Sequence, residues 1–231
     1  MNNNLKCPVC KAQYTSREIL FCSHCEHIFR NFPIIDLEDY YSNKYRKLNL
    51  GGPPTDFNLL KDRNIFRLKM INNFIKDKKT IFEVGFGYGD FYKVLKDVYP
   101  EKIYSCCELD ENLYKSAIDN GIEAWGCSYQ DMPDKKYDTI ISFDVLEHFY
   151  NPHDYKNKLV NMLDKKGIAV IQVPTDRGIH FHKPFDGHYH YFSEKSLNLL
   201  MSPEFNNLMF MKTKRGTSAN GPEFLTVYEK K

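Results

Sequence analysis

The sequence predicts an α/β fold in which helices cover a mostly parallel sheet that ends in an antiparallel hairpin. From residue 80 onward, short apolar runs alternate with amphipathic stretches, as strands alternate with helices in such sheets. The last two apolar runs instead flank a turn rich in glycine, serine, asparagine and proline, which is typical of a hairpin. Four of the seven cysteines fall within the first 25 residues, so we expect a small metal-binding module before the sheet.

The composition limits the size and the partners of the protein. A chain of 231 residues, 42% of them hydrophobic, suits one α/β domain with a small appendage. Its 32 basic and 30 acidic residues leave a net charge of +2, which gives no general attraction to nucleic acid or to an anionic membrane. No apolar run approaches the length that spans a bilayer, and the N-terminus has no signal region, so we expect a cytoplasmic protein.

The N-terminal cysteines form two C-x-x-C pairs, "CPVC" and "CSHC". Two such turns direct four sulfurs at one centre, which is the tetrahedral thiolate site that Zn²⁺ prefers. Four protein ligands leave no open position, so the zinc would be structural. Reduced thiol pairs or a redox pair are the alternatives, although no βαβ pattern surrounds either pair. We predict a zinc-binding module, a zinc ribbon, over residues 1–33, with the ligands Cys7, Cys10, Cys22 and Cys25.

Residues 34–56 are predicted to form a linker, with a short helix and tyrosines that either contribute to a lid or pack the linker down. The segment contains "YYSNKY" and "GGPP", and the second is a strong helix breaker. The next stretch, "FNLLKDRNIFRLKMINNFIK", begins the main domain, 57–231, and places Leu60, Leu68, Ile71 and Ile75 on one helical face.

The main domain follows in alternating order. The predicted strands are "TIFEVG", "KIYSCCEL", "EAWGC", "DTIISFD" and "IAVIQVP", and the helices between them include "DFYKVLKDVY", "DENLYKSAID" and "PHDYKNKLVNML". The runs "NLMFMKTK" and "FLTVYEKK" are the expected hairpin strands.

A glycine loop, "GFGYG", joins the first predicted strand to the first helix of the sheet. Ligands bind such sheets at the carboxyl ends of the strands. A dinucleotide fingerprint would need a glycine at the position of Asp90, and the phosphate-binding G-x-x-x-x-G-K-[ST] pattern is absent, which argues against an NAD-dependent dehydrogenase. The acids Glu83 and Asp90 disfavour a pyrophosphate and favour a ligand with positive charge.

A further acid, Glu108, lies 19 residues after Gly89, at the expected tip of the second strand. An acid at this position can accept hydrogen bonds from both ribose hydroxyls. The ligand is therefore expected to carry a ribose and a positive charge but no pyrophosphate. S-adenosylmethionine, with its adenosine, sulfonium and ammonium groups, fits this description.

These motifs resemble a known family. "EVGFGYG" resembles the E/D-x-G-x-G-x-G motif of class I S-adenosylmethionine-dependent methyltransferases, and the resemblance continues through "CELD", "CSYQDMP" and "YDTIISFDVLEHFYNP". It implies a Rossmann-like sheet of seven strands, methyl transfer as the activity, and S-adenosylhomocysteine as a product. It also implies a set of cofactor-binding residues: Glu83, Gly85, Gly87, Gly89, Glu108, Ser128, Tyr129 and, beside the sulfonium, Phe143 and Asp144.

The resemblance assigns a part of the cofactor to several of these positions. Glu83 would hold the methionine ammonium, Glu108 the ribose, and the backbone of Tyr129 the adenine ring. Ser128 stands where the family usually has an acid that contacts the adenine amine. That contact is expected to be weaker here, or to come from one of the two residues after Tyr129.

Two histidines are candidates for activating the methyl acceptor. A hydroxyl or carbon acceptor gains from a base, and histidine suits this role at neutral pH. His148 ends "DVLEH", and His188 lies in "FDGHYHYFS", which resembles the D/E-H-x-x-Y-F-S stretch of bacterial sugar methyltransferases. The four-cysteine module and "YYSNKY" resemble the same enzymes. In their carbon-methylating members, the histidine that matches His188 acts as the base.

Departures from that pattern favour O-methylation of a sugar. Gly187 replaces the acid that precedes the histidine, and Phe185 replaces a neighbouring tyrosine. The expected acceptor is a sugar-type small molecule, whether free, nucleotide-linked or in a surface glycan. The plainer alternatives are that His148 caps a helix or bonds a backbone carbonyl and that His188 stabilises a loop. The other histidines of "HFHKPFDGHYH" are expected to be solvated, with a second metal site as the lesser alternative.

Two other functions compete with this hypothesis. An rRNA or tRNA methyltransferase with a zinc module is disfavoured by the balanced charge and by the absence of an N/D-P-P-Y segment. An inactive zinc-bearing binding module is disfavoured by the intact glycine loop and by Glu108. The sequence does not indicate an oligomeric state.

Overall fold

The computed structural model describes residues 5–14, 19–30, 57–128, 130–175, 187–214 and 222–231. The predicted linker and lid, together with Tyr129 and Phe185, lie outside the described residues. The boundaries between module, linker and main domain therefore stay predictions. Within the described ranges, no helix is both long enough and apolar enough to cross a membrane.

The N-terminal segment forms two small antiparallel pairs of strands. Strand β1 (Leu5–Lys6) pairs with β2 (Gln13–Tyr14). Strand β3 (Ile19–Cys22) pairs with β4 (His27–Arg30). Each pair brings one C-x-x-C turn to its end.

The remaining strands build the sheet of the main domain and one short addition to the module. They are β5 (Thr80–Val84), β6 (Ile103–Cys107), β7 (Glu123–Trp125), β8 (Tyr137–Phe143), β9 (Leu163–Pro174), β10 (His190–Tyr191), β11 (Phe205–Lys214) and β12 (Pro222–Lys230). Seven of them form one sheet in the order β11-β12-β9-β8-β5-β6-β7, and β10 pairs with β4 instead.

The direction of the strands confirms the predicted fold class. Strand β5 pairs with β6, and β6 with β7, in parallel, whereas β11 and β12 pair in antiparallel fashion. The described chain thus has the Rossmann-like, mostly parallel sheet of seven strands with a final antiparallel hairpin, and it carries a four-cysteine cluster at its N-terminus.

Helices alternate with these strands. They are α1 (Phe57–Ile75), α2 (Asp90–Val98), α3 (Glu111–Asp119), α4 (Pro152–Met162) and α5 (Glu194–Met201), with a 3₁₀ turn at Leu146–His148. Local signals set where two of them begin. The carboxylate of Asp110 accepts hydrogen bonds from two backbone N–H groups at the start of α3. Ser193 and Ser196 form a reciprocal capping box at the start of α5.

The chain divides into two compact units. One comprises residues 35–141 and 162–168, and it contains the glycine loop. Its core includes Leu68, Ile71, Ile75, Ile81, Phe82 and Leu95, so three residues of the predicted apolar face of α1 are buried, whereas Leu60 is half-buried. The other unit comprises residues 1–34, 142–161 and 169–231, and it contains the cysteines of the module and both candidate histidines. Its core includes Tyr155, Leu159, Ile171, Leu225 and Tyr228.

Candidate active site

The glycine loop connects β5 to α2 and leaves room for a ligand. The backbone N–H of Gly85 donates to the carbonyl oxygen of Cys107 at 3.0 Å, which ties the start of the loop to β6. Gly87 has φ +55, a conformation that favours glycine, and a Cβ there would meet no atom within 4 Å. Gly89 has φ +70, and a Cβ there would lie 2.4 Å from the ring of Phe86. The loop therefore exposes backbone to open space at Gly87 and packs tightly at Gly89.

Glu108 follows β6 directly and braces the glycine loop. One carboxylate oxygen accepts from the backbone N–H of Gly87 at 2.8 Å, and the other accepts from that of Asp110 at 3.1 Å. Burial raises the pKa of Glu108, while these backbone hydrogen bonds act in the opposite direction. The carboxylate has about four lone-pair sites, more than these backbone hydrogen bonds use, so it has capacity left for a ligand hydroxyl. The sequence indicated a ribose partner but not this contact with the loop.

Glu83 lies on β5 and is 3% exposed. Burial raises its pKa to about 8, against the hydrogen bond that Tyr104 donates to it and the positive charge of Arg67. The acid is therefore mostly protonated at neutral pH in the free chain. A cation placed beside it would favour the ionised form.

The segment predicted to meet the adenine is only partly described, because Tyr129 lies outside the described residues. The hydroxyl of Ser128 donates to the carboxylate of Asp131 at 3.1 Å. Where the resemblance implies an acid, the chain thus has a serine that is bonded to an acid three residues later. Asp131 is exposed and has the chemistry to accept from an amine.

Phe143 ends β8 and is buried, and Asp144 follows it with φ +58. The left-handed conformation is uncommon for residues other than glycine, although aspartate tolerates it. The backbone N–H of Asp144 donates to the carbonyl oxygen of Gln172 at 2.9 Å, which holds this turn against β9.

The structure brings together the two candidate histidines, whose ring centroids lie 4.7 Å apart. It also adds Glu147, which is completely buried between them. A carboxylate oxygen of Glu147 lies 3.8 Å from Nε2 of His148 and 3.9 Å from Nε2 of His188. Glu147 was not among the residues predicted from the sequence, although its position in "DVLEH" beside a candidate histidine was a usable signal.

Backbone contacts hold this cluster in place. Nδ1 of His148 donates to the carbonyl oxygen of Gly187 at 2.9 Å, and the backbone N–H of Tyr189 donates to the carbonyl oxygen of Glu147, also at 2.9 Å. The 3₁₀ turn is thus bonded on both sides of His188. The expectation that His148 bonds a carbonyl is met through one nitrogen only, and its Nε2 faces Glu147.

The four predicted metal ligands of the N-terminal module converge. Their sulfur atoms all lie within 4.8 Å of one another, with 3.6 Å between Cys7 and Cys25 and 3.4 Å between Cys10 and Cys22. Four sulfurs around zinc at about 2.3 Å would lie about 3.8 Å apart. The donor set therefore fits a tetrahedral thiolate site after small adjustments.

The module is joined to the segment that carries His188. Strand β4 pairs with β10, and the backbone N–H of Arg30 donates to the carbonyl oxygen of Tyr189 at 2.9 Å. The hydroxyl of Ser193 donates to the carbonyl oxygen of Cys25 at 3.0 Å. These bonds join the module to the residues that directly follow His188 in the chain.

His27 and His190 form a buried pair where β4 meets β10. The prediction that the other loop histidines are solvated is therefore wrong for His190. Nε2 of His190 donates to the carbonyl oxygen of Phe149 at 2.8 Å, so Nδ1 accepts from Nε2 of His27 at 3.1 Å. Burial lowers the pKa of His190 to about 4 and lowers that of His27 as well, so both rings are neutral at pH 7. The side chain of His188 is 12% exposed. His180 and His182 lie outside the described residues.

Several solved structures share this fold. The 1,6-didemethyltoxoflavin-N1-methyltransferase of Burkholderia thailandensis, solved with 1,6-didemethyltoxoflavin and S-adenosylhomocysteine, has a TM-score of 0.65 and 15% identity, and the match covers 93% of this chain and 99% of that one. The N-methyltransferase NodS of Bradyrhizobium japonicum WM9 has a TM-score of 0.59 and 13% identity, over 77% and 99% of the two chains. The plantazolicin methyltransferase BpumL, solved with S-adenosylhomocysteine, has a TM-score of 0.60 and 13% identity, over 84% and 93%.

Sequence comparison gives the family. No curated protein sequence matches the chain. A family model described as a methyltransferase domain matches residues 61–204, which is more than half of the chain. The chain therefore belongs to the methyltransferase-domain family and is an S-adenosylmethionine-dependent methyltransferase.

Proposed function

We propose that this methyltransferase transfers the methyl group to a hydroxyl of a sugar-type small molecule. The observation that carries the proposal is the cluster of Glu147, His148 and His188, which joins the histidine of the sugar-methyltransferase-like segment to a second histidine and a buried acid. The similar enzyme that was solved with 1,6-didemethyltoxoflavin supports an acceptor of small-molecule size. The balanced charge supports the same choice over RNA.

The glycine-loop unit is proposed to hold the cofactor. When bound, S-adenosylmethionine supplies an electrophilic methyl group. Glu108 would accept hydrogen bonds from the ribose hydroxyls, and Glu83 would balance the ammonium group. The open space at Gly87 would let backbone approach the cofactor. Ser128 and Tyr129 belong to the same unit and complete the proposed set there, with Asp131 as the acid for the adenine amine, whereas the roles of Phe143 and Asp144 in the other unit stay predictions.

The histidine cluster is proposed to activate the acceptor. In the metal-free chain, Nε2 of His188 would take the proton of the acceptor hydroxyl as its oxygen attacks the methyl carbon. The carboxylate of Glu147, 3.9 Å from that nitrogen, would stabilise the imidazolium that forms. His148, fixed by its hydrogen bond to Gly187, would line the other side of the carboxylate.

The cysteine cluster is proposed to bind a structural Zn²⁺ through all four sulfurs. A site with four protein ligands has no open position, so its effect on catalysis would be indirect. The pairing of β4 with β10 supports a role in positioning His188. Zinc thiolate sites are compatible with a reducing compartment, so we also propose a cytoplasmic location.

Calorimetric titration with S-adenosylhomocysteine tests the cofactor part of the proposal. We expect micromolar binding by the full chain, and Glu111→Ala, on the exposed side of α3, should not change it. A panel of nucleotide sugars, free sugars and RNA, incubated with labelled S-adenosylmethionine, then tests the acceptor. Label transfer to RNA alone would overturn the sugar proposal.

A further inference from the structure

The side chains of Glu147, His148 and His188 present one carboxylate and two imidazoles to a common point. Their potential ligand atoms all lie within 4.8 Å of one another. We infer that this cluster binds a divalent transition-metal ion, distinct from the zinc expected at the cysteines. The inference that the cluster binds an ion does not depend on the identity of the acceptor. The role of the ion in activating the acceptor rests on the proposed function.

The spacing of the three groups suits a metal ion after slight closure. The carboxylate oxygen lies 3.8 Å and 3.9 Å from the two Nε2 atoms. A point equidistant from the three ligand atoms is no more than roughly 2.5 Å from each, whereas bonds of zinc to nitrogen and oxygen are about 2.0–2.2 Å. Movements of a few tenths of an ångström would therefore complete the site.

The orientation of His148 is the one that a metal ligand needs. A carbonyl oxygen only accepts hydrogen bonds, so Nδ1 of His148 carries the hydrogen that bonds Gly187. In the neutral ring, Nε2 then presents its lone pair toward Glu147. Metal-bound histidines commonly donate their other N–H to a backbone carbonyl in this way, which fixes the tautomer and the direction of the ring.

The burial of the cluster favours the binding of a cation. Glu147 is completely buried, and His148 is 8% exposed. In such surroundings little water screens the charges, so the attraction between the carboxylate and a bound cation is strong.

The donor set indicates the class of ion. Imidazole nitrogens with one carboxylate suit Fe²⁺, Co²⁺ or Zn²⁺, whereas Ca²⁺ and Mg²⁺ favour sites of oxygen ligands. Three protein ligands leave positions open for water or for oxygens of an acceptor. With the ion bound, both Nε2 atoms are ligands rather than bases, and coordination of the acceptor hydroxyl would lower its pKa so that the proton passes to solvent.

The test uses the full chain, loaded with one equivalent of Zn²⁺ and then titrated with Co²⁺ by calorimetry and visible absorption. Zn²⁺ binds such sites more tightly than Co²⁺, so the cysteine-bound zinc stays in place. We expect one further equivalent to bind, with weak d–d absorption and without thiolate-to-cobalt charge-transfer bands. No binding up to millimolar Co²⁺ would overturn the inference.

Matched variants assign the binding to the cluster. Glu147→Gln and His188→Ala should each weaken Co²⁺ binding at least about tenfold, whereas Glu111→Gln and His153→Gln should leave it unchanged. Equal affinity in the native chain and in His188→Ala would overturn the assignment. Circular dichroism checks folding, and if Glu147→Gln does not fold, His188→Ala carries the test. A parallel titration with S-adenosylhomocysteine keeps failure of the metal site distinct from failure of the cofactor proposal.

Discussion

Replacing Glu83 with glutamine tests how burial controls the charge on β5. Burial raises the pKa of Glu83 from 4.5 to about 8. Between these values the unfolded chain releases the proton while the folded chain keeps it, so the free energy of unfolding falls as the pH rises. One pKa unit corresponds to about 1.36 kcal/mol. The titration of Glu83 alone should therefore lower the free energy of unfolding of the wild-type chain by about 2–3 kcal/mol between pH 5 and pH 7.

Urea unfolding at pH 5 and pH 7 measures this effect as a difference between variants. Glu83→Gln keeps an oxygen that can accept from Tyr104 but has no proton to lose, so the decrease that Glu83 causes should disappear. Glu111→Gln changes an exposed glutamate of α3 in the same chemical way and should retain the decrease. If wild type and Glu83→Gln show the same pH dependence, the reasoning is wrong.

Three further predictions concern the cofactor, the acceptor and the zinc. Glu108→Ala should weaken S-adenosylhomocysteine binding at least about tenfold, because the carboxylate both braces Gly87 and is the proposed ribose partner; unchanged affinity by calorimetry would remove it from the site. His188→Ala should spare that binding and lower turnover by about 10²-fold or more, and full activity would refute its role. Chelation of zinc should remove amide-exchange protection from β3, β4 and β10 and leave β5 and β6 protected, since β10 pairs with β4. If β5 and β6 lost their amide-exchange protection as much as β3, β4 and β10 did, the module would instead support the whole fold.

The fold class was predictable because its signals are local and periodic. Alternating apolar runs and amphipathic stretches indicate strands and helices without knowledge of any long-range contact. The spacing of the glycine loop and Glu108 follows from the same alternation, since both come at the ends of neighbouring parallel strands. The grouping of the cysteines could be predicted just as directly, because two residues between a pair of cysteines suffice to direct both sulfurs at one point.

The cluster around Glu147 was not predictable in the same way. His148 and Glu147 lie in the 3₁₀ turn after β8, whereas His188 lies 40 residues further along. Nothing periodic joins these segments, and the polar stretch before His188 suggested solvated histidines. The contact between them depends on two hydrogen bonds, from the imidazole of His148 to the carbonyl oxygen of Gly187 and from the backbone N–H of Tyr189 to the carbonyl oxygen of Glu147, and it appears only when the chain has folded.

The sequence by itself determined the sheet, the glycine loop, the acids beside it and the grouping of the four cysteines, because each depends on spacing within a short stretch of chain. Only the tertiary structure decided that β10 completes the sheet of the module and that His27 bonds His190 across 163 residues. It also decided that a buried acid stands between the two candidate histidines. Such contacts join segments far apart in the chain, and burial then sets their charge, which no local pattern of residues specifies.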